Sequence, residues 1–248
     1  MSTVGNDESL LPEEKYHVLF EREKYGEFID IKINTLEDVE TSDEIAFFAI
    51  SQGEGLINTL KELGCKYVLE RGSNTTISTD EIIDVFKDIN AKNIIALPNN
   101  ISSGIIIKCA SENIKDKKVY TLDTKTPVEL YLAMSMVVGD NYDVDFQIKQ
   151  MHNGIKESKT IFIKNENDYY ALLDGKKYQK ESLIETISDV LKKINMEKKE
   201  IVILLKGINM PDDLVDEIIE LIEDEYNDLE IGVIDAMQDD YDLIIGVN

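Results

Sequence analysis

The residues best suited to chemistry in this 248-residue chain are glycines, hydroxyls, amides and two cations, gathered in four short clusters. Gly53-Glu54-Gly55 follows Ser51-Gln52, and Glu70-Arg71-Gly72 runs into Ser73, Asn74, Thr75 and Thr76. Asn99-Asn100 follows Pro98, and Thr124-Lys125-Thr126 follows Asp123. Two glycines after an apolar run, with Glu70 closing the next run, sketch the first half of a dinucleotide fingerprint. The third glycine is replaced by Asn58, and the same spacing serves a tight strand-to-helix corner. The hydroxyls and amides could hold an anion beside helix N-termini, or act as caps and turns. Arg71 and Lys125, cations on a strongly acidic chain, suit charge-assisted contacts with a partner. Their plain alternative is a surface salt bridge.

Other chemistries lack their parts. No phosphate-binding Gly-x-x-x-x-Gly-Lys-Ser/Thr loop occurs, and no Gly-x-Ser-x-Gly elbow. His17 and His152 have no metal-ligand spacing. Asp143-Val144-Asp145 reads as the solvated face of an alternating strand, and Asp212-Asp213 and Glu223-Asp224-Glu225 as helix caps and exposed helix faces. Cys65 and Cys109 lie in apolar contexts and read as buried, reduced thiols of a cytoplasmic protein. The net charge of −24 argues against nucleic acid and against anionic lipid, both of which need a basic face. No apolar run approaches the ~20 residues of a membrane helix.

The four clusters must be positioned by the elements before them. Apolar runs at 45–50, 67–69, 94–97 and 119–122 read as strands, each followed by a helical pattern. Ser78-Thr79-Asp80-Glu81 matches a capping box, and Thr126-Pro127 suits a first helical turn. Strand-helix alternation predicts a doubly wound, mainly parallel α/β lobe, with ligand-facing loops at the strand carboxyl ends. The helix from Ser102 to Ile114 is apolar on most sides and is expected to be well covered. Past Gly139 the pattern becomes mixed. Val144, Phe146 and Ile148 alternate as in a strand, and Asp174-Gly175 marks a hairpin. The expected organisation is a disordered lead-in over 1–14, the remnant of a preceding domain and linker over 15–40, a parallel lobe over 41–138 and a mixed α/β lobe over 139–248. Within 15–40, a helix over Lys15–Lys24 and a strand over Phe28–Ile33 are expected.

These same loops carry a family resemblance. Gly53-Glu54-Gly55-Leu56, Gly64, the stretch Leu69–Ile82, Leu97-Pro98-Asn99-Asn100 and Thr124-Lys125-Thr126 stand in an order that resembles the C-terminal domain of bacterial fatty-acid kinase. That family is also described as dihydroxyacetone-kinase-like or DegV-associated. It shows a Gly-Glu-Gly turn, a Glu-Gly-Gly-Gln-Thr-Met-Asn-Pro-Ser-Thr-Glu-Asp loop, a Leu-Pro-Asn-Asn turn and a Pro-Thr-Lys-Ser turn. Lys24–Ile33 also resembles the join ahead of that domain. Gly72-Ser73 replaces the family's glycine-glutamine, and Gln238-Asp239-Asp240 stands where the family closes on glycine-glutamine-proline.

The resemblance implies a non-catalytic part of a kinase, with ATP and magnesium held on a separate domain and no cofactor in this chain. The partner it implies is an acyl-binding protein, the kinase domains, or both, in the service of fatty-acid phosphorylation. The docking face would comprise Gly53–Gly55, Glu70, Arg71, Ser73–Thr76, Asn99, Asn100 and Thr124–Thr126. The competing reading is a small-molecule binder or enzyme that takes an anion or nucleotide at the same edge, in a closed pocket. A third is an architectural role, as a homo-oligomer through the second lobe.

Overall fold

A computed structural model describes residues 43–72, 76–139 and 143–248. The readings made for 1–14 and 15–40, including the Lys15–Lys24 helix and the Phe28–Ile33 strand, lie outside these residues.

The first lobe is four β-α units. Strands β1 (Asp43–Ser51), β2 (Tyr67–Glu70), β3 (Ala91–Leu97) and β4 (Lys118–Thr121) alternate with helices α1 (Glu54–Glu62), α2 (Thr79–Asp88), α3 (Ile101–Ser111) and α4 (Pro127–Ser135). The strands form one parallel sheet in the order β2-β1-β3-β4. Side chains alternate across a strand, and here both faces are apolar. Ala46, Phe48, Ile50, Ile94 and Ala96 face α2 and α3, where Phe48 meets Phe86 edge to face at 5.2 Å. Ala49, Ile95 and Leu97 face α1 and α4. A strand buried on both faces reads as a continuous apolar run, as β1 and β3 do.

The second lobe begins with a correction. Val144, Phe146 and Ile148 belong to helix α5 (Val144–Ile155), not to a strand. Asp143 caps it, accepting from the Phe146 N–H at 2.8 Å. Val144 and Ile148 fit either period and Phe146 only the strand's; the longer spacing of Val144, Ile148, Met151 and Ile155 is helical, and these residues pack in the core beside α4. Strands β5 (Lys159–Asn165), β6 (Tyr169–Leu173), β7 (Lys176–Tyr178), β8 (Ile201–Lys206), β9 (Glu230–Asp235) and β10 (Leu243–Val247) form a mixed sheet, ordered β7-β6-β5-β10-β8-β9. Within it, β8 and β9 pair in parallel and the other neighbours antiparallel. The Asp174-Gly175 hairpin forms with both residues at positive φ, 50° and 74°, as a two-residue primed turn demands. Helices α6 (Leu183–Leu191) and α7 (Asp212–Glu225) cover one face of this sheet.

The other face, through Ile203, Leu205 and Ile244, joins the cluster that holds Leu56, Leu60, Val128, Leu130 and Leu132. The layers therefore run α2/α3, parallel sheet, α1/α4/α5, mixed sheet, α6/α7. The α/β class and the parallel-then-mixed sheets match the sequence reading.

Two expectations about exposure fail. Cys109 is exposed, whereas Cys65 is buried and its thiol is pushed up to about 12 by that burial. Helix α3 is not covered all round: Ile101 and Ile105 are 68% and 59% exposed. It lies in an outermost layer, where only the Ser103-Ile107-Ala110 face points inward. Consecutive helical residues are about 100° apart, so Ile105-Ile106-Ile107 runs from solvent to core.

One long-range contact closes α2. The Lys117 ammonium donates to the carbonyls of Phe86 and Lys87, each at 2.8 Å, and to that of Ile89. A helix C-terminus leaves carbonyls unpaired and partly negative, which suits a cation. Lys117→Met should lower stability by about 1–2 kcal/mol, read as a shift of the urea midpoint. An unmoved midpoint would mean the ammonium contributes nothing net.

Candidate functional site

The carboxyl ends of the parallel strands lie side by side because the strands are in parallel register, and hydrogen bonds lock their loops together. The Arg71 N–H donates to the Ser51 carbonyl at 2.8 Å, and Asn99 Nδ2 donates to the Arg71 carbonyl at 3.2 Å. Thr124 Oγ1 donates to the Pro98 carbonyl at 2.6 Å. Asn99 Oδ1 accepts from Ser103 Oγ and from Asn100 Nδ2, both at 3.1 Å, while Asn100 caps α3. Thus β1, β2 and β3 end in one network, and the β4 loop hangs on Pro98.

Within this edge the predicted residues divide by access. Asn99, Thr124 and Gly53 are buried and hold the loops. Glu54, Glu70, Thr76 and Lys125 are exposed, while Gly55, Arg71, Asn100 and Thr126 are half-buried. Ser73, Asn74 and Thr75 lie outside the described residues. Both cations have intramolecular partners. Arg71 pairs with Glu81 and donates to the Glu70 carbonyl, and Lys125 pairs with Asp123 at 3.2 Å. Thr126 caps α4, accepting from the Glu129 N–H at 3.2 Å, and shares a 2.9 Å hydroxyl contact with Thr160.

The Gly-Glu-Gly turn has a different neighbour. A Cβ on Gly55 would lie 1.7 Å from the Asp235 carbonyl oxygen, and one on Gly53 would lie 2.1 Å from that of Ala236. Gly53 also sits at φ +85°, a region open to glycine. The Leu56 N–H donates to the Ala236 carbonyl at 3.3 Å. The face that a phosphate would use is therefore filled by the 235–238 backbone. The glycines weld the two lobes together. Sequence reasoning misses segment 235–240 as part of this edge; its signal is a glycine pair needing a close backbone partner, and that partner lies some 180 residues away. Gln238 holds this segment, donating to the Leu205 carbonyl at 3.0 Å, and Gln52 donates to Asp239.

Between these features sits an enclosed cleft of about 10 Å³, lined by Ser51, Gln52, Leu56, Asn99, Pro127, Gln238, Asp240 and Ile244. Ser51 Oγ and Gln52 Oε1 are buried without a protein hydrogen-bond partner. The volume is that of about one water, against roughly 300–1,000 Å³ for small-molecule sites.

Glu129 is the carboxylate most affected here. Burial pushes its carboxyl up from 4.5, opposed by the Lys125 N–H at 2.5 Å and the Lys125 charge. An acid with a raised folded pKa favours folding in its protonated form. The stability it contributes is full below 4.5 and is lost as pH rises through the higher folded value. Glu129→Gln keeps an acceptor for the Lys125 N–H and removes the charge. Its stability relative to wild type should rise as pH climbs past 4.5, checked by thermal melts across that window; a constant difference would exclude the effect.

The chain can be placed among known proteins on this geometry. It is 24% identical to Protein YloV of Bacillus subtilis (strain 168), an alignment that takes in 94% of this chain and 47% of that protein. It is 26% identical to an uncharacterized protein of Staphylococcus aureus (strain USA300), over 91% of this chain and 43% of the relative. It thus spans just under half the length of these curated relatives. The dihydroxyacetone kinase of C. freundii in its native form superposes with a TM-score of 0.59 at 9% identity, over 84% of this chain and 48% of that one, a likeness of fold. Residues 46–248 match the family model for the C-terminal part of FakA-like fatty acid kinase proteins. The order of turns, the layered α/β fold and this match agree: the chain belongs to the FakA-like fatty acid kinase C-terminal family.

Proposed function

We propose that this chain is a docking part of a fatty-acid-kinase-type protein, non-catalytic by itself, whose strand-end face receives an acyl-carrying protein or the kinase's own ATP-binding domain. The observation that carries this reading is the construction of the edge. Its loops are tied by buried Asn99 and Thr124, and Glu54, Glu70, Thr76 and Lys125 stand in solvent. A preorganised polar face loses little entropy on binding a partner. A cleft the size of one water suits this reading better than a nucleotide pocket does. ATP and magnesium then belong to another domain. Among the described residues, no helix is long and apolar enough to cross a membrane.

The test is calorimetric titration with ATP-magnesium and, separately, with an acyl-loaded binding protein of a fatty-acid-kinase system. Heat with the acyl-loaded protein alone supports the reading; heat with ATP-magnesium alone overturns it. In the docking case, Arg71→Ala with Lys125→Ala should weaken affinity about tenfold. The melting temperature should move little, because the Lys125–Asp123 pair is exposed and the Arg71–Glu81 pair is only half-buried, and surface pairs contribute about 0–1 kcal/mol.

A further inference from the structure

Two exposed apolar side chains stand together where the mixed sheet meets the Gly-Glu-Gly turn. Ile208 is 59% exposed and Met237 is 42% exposed. Their loops are joined backbone to backbone: the Ile208 N–H donates to the Gln238 carbonyl at 3.0 Å, and the Met237 N–H to the Lys206 carbonyl at 2.9 Å. Met237 sits at φ +60°, a left-handed conformation that costs a non-glycine residue free energy. A strained backbone that holds a methionine in water gains nothing for the fold. Gly53 lies against the same segment, its Cβ position 2.9 Å from the Met237 carbonyl carbon, so the pair is continuous with the strand-end face.

The charge around the pair is mainly acidic. Glu54, Asp212, Asp235 and Asp239 are exposed on the adjoining turns. Lys206 stands among them, paired with Asp212 and 4.0 Å from Asp235, and among the described residues Glu54 and Asp239 have no ion pair with it. A second copy would bring the same acidic rim against this one, on a chain of net charge −24. An anionic membrane would be repelled likewise. The complementary occupant is a protein surface with an apolar recess ringed by lysine or arginine.

We infer that Ile208 and Met237 are the apolar anchors of the docking face, and that they seat in an apolar recess with a basic rim on the partner protein. The inference rests on the docking reading above and adds the partner's chemistry. Buried apolar anchors inside a charged rim are the usual seat of binding energy at an interface.

The experiment uses the full chain and the same acyl-loaded binding protein. Ile208→Ser combined with Met237→Gly should weaken binding by about 30-fold or more, with an unchanged or higher melting temperature because glycine relieves the left-handed strain. Raising salt from about 50 to about 300 mM should weaken wild-type binding roughly tenfold. Wild-type affinity in the double variant, or salt-independent binding, overturns the inference and leaves the docking reading standing.

If the acyl-loaded protein does not bind at all, that partner reading fails, and the inference is decided with a defined probe. An amphipathic leucine-lysine peptide of about 20 residues should shift the Ile208 and Met237 methyl resonances ahead of those of Ile101, Ile105 and Met136. A serine-lysine peptide should not. Uniform shifts, or none, overturn it, as does a dimer in sedimentation that the double variant abolishes.

Discussion

Gly55→Ala is expected to cost about 3–5 kcal/mol or to abolish folding. The added methyl would meet the Asp235 carbonyl oxygen at 1.7 Å and the Asp235 carbonyl carbon at 2.8 Å. Both are backbone atoms at the end of a paired strand, so no side chain can rotate away. Relief requires α1 to lift from β9, which opens the cluster of Leu56, Leu60, Ala236 and Leu205. It also breaks the bond from the Leu56 N–H to the Ala236 carbonyl. Gly175→Ala is the matched control. Gly175 lies at φ +74° with nothing within 4 Å of its Cβ position, so its cost is conformational, about 1 kcal/mol. Chemical denaturation of the two variants separates close approach from backbone preference. Equal losses would mean the lobes are not held by this contact.

Asn99→Ala should cost about 2–3 kcal/mol, more than its size suggests. The amide donates to the Arg71 carbonyl and accepts from Ser103 Oγ and Asn100 Nδ2, and it is buried. Truncation removes three hydrogen bonds at once and opens a void among partly buried polar groups, which costs more than one exposed bond would. Asn99→Asp should be worse at neutral pH. A carboxylate cannot donate to the Arg71 carbonyl, and burial disfavours its charge. Because burial raises that carboxyl's pKa, the deficit should shrink on acidification toward about pH 5. Melting curves at the two pH values check both statements. A pH-independent Asp deficit would show that its carboxyl titrates normally. Either variant should also loosen the Glu70–Gly72 loop, whose Arg71 carbonyl the Asn99 amide holds.

Much of this is legible in the chain, and the failures share a cause. Ser78 and Thr126 cap their helices, accepting from Glu81 and Glu129 N–H groups as their spacing requires. Asp174-Gly175 turns a hairpin. The four parallel strands end on one edge, as strand-helix alternation predicts. Each of these signals lies within a few residues of what it controls. The α5 segment misleads because Phe146 completes a strand-like alternation with Val144 and Ile148, and its packing against α4 decides for the helix. Cys109 and Ile105 mislead because their neighbours are apolar; which face of α3 points inward depends on the sheet beneath it.

The sequence by itself therefore determined the elements of the parallel lobe, their order and the edge on which their loops meet, but not helix α5. Local propensity, capping and turn chemistry act through nearest neighbours. Only the tertiary structure decided what that edge is made of. It places the Asp235–Gln238 backbone over Gly53 and Gly55, so a turn whose spacing suits either a tight corner or half a dinucleotide fingerprint becomes the weld between two sheets. It pairs Arg71 with Glu81 and Lys125 with Asp123, and it brings Ile208 beside Met237. Lys125–Asp123 and Arg71–Glu81 are two and ten residues apart, while the others join residues distant in the chain. The contact of the glycine turn with segment 235–238 follows from how α1 and α4 pack between the two sheets.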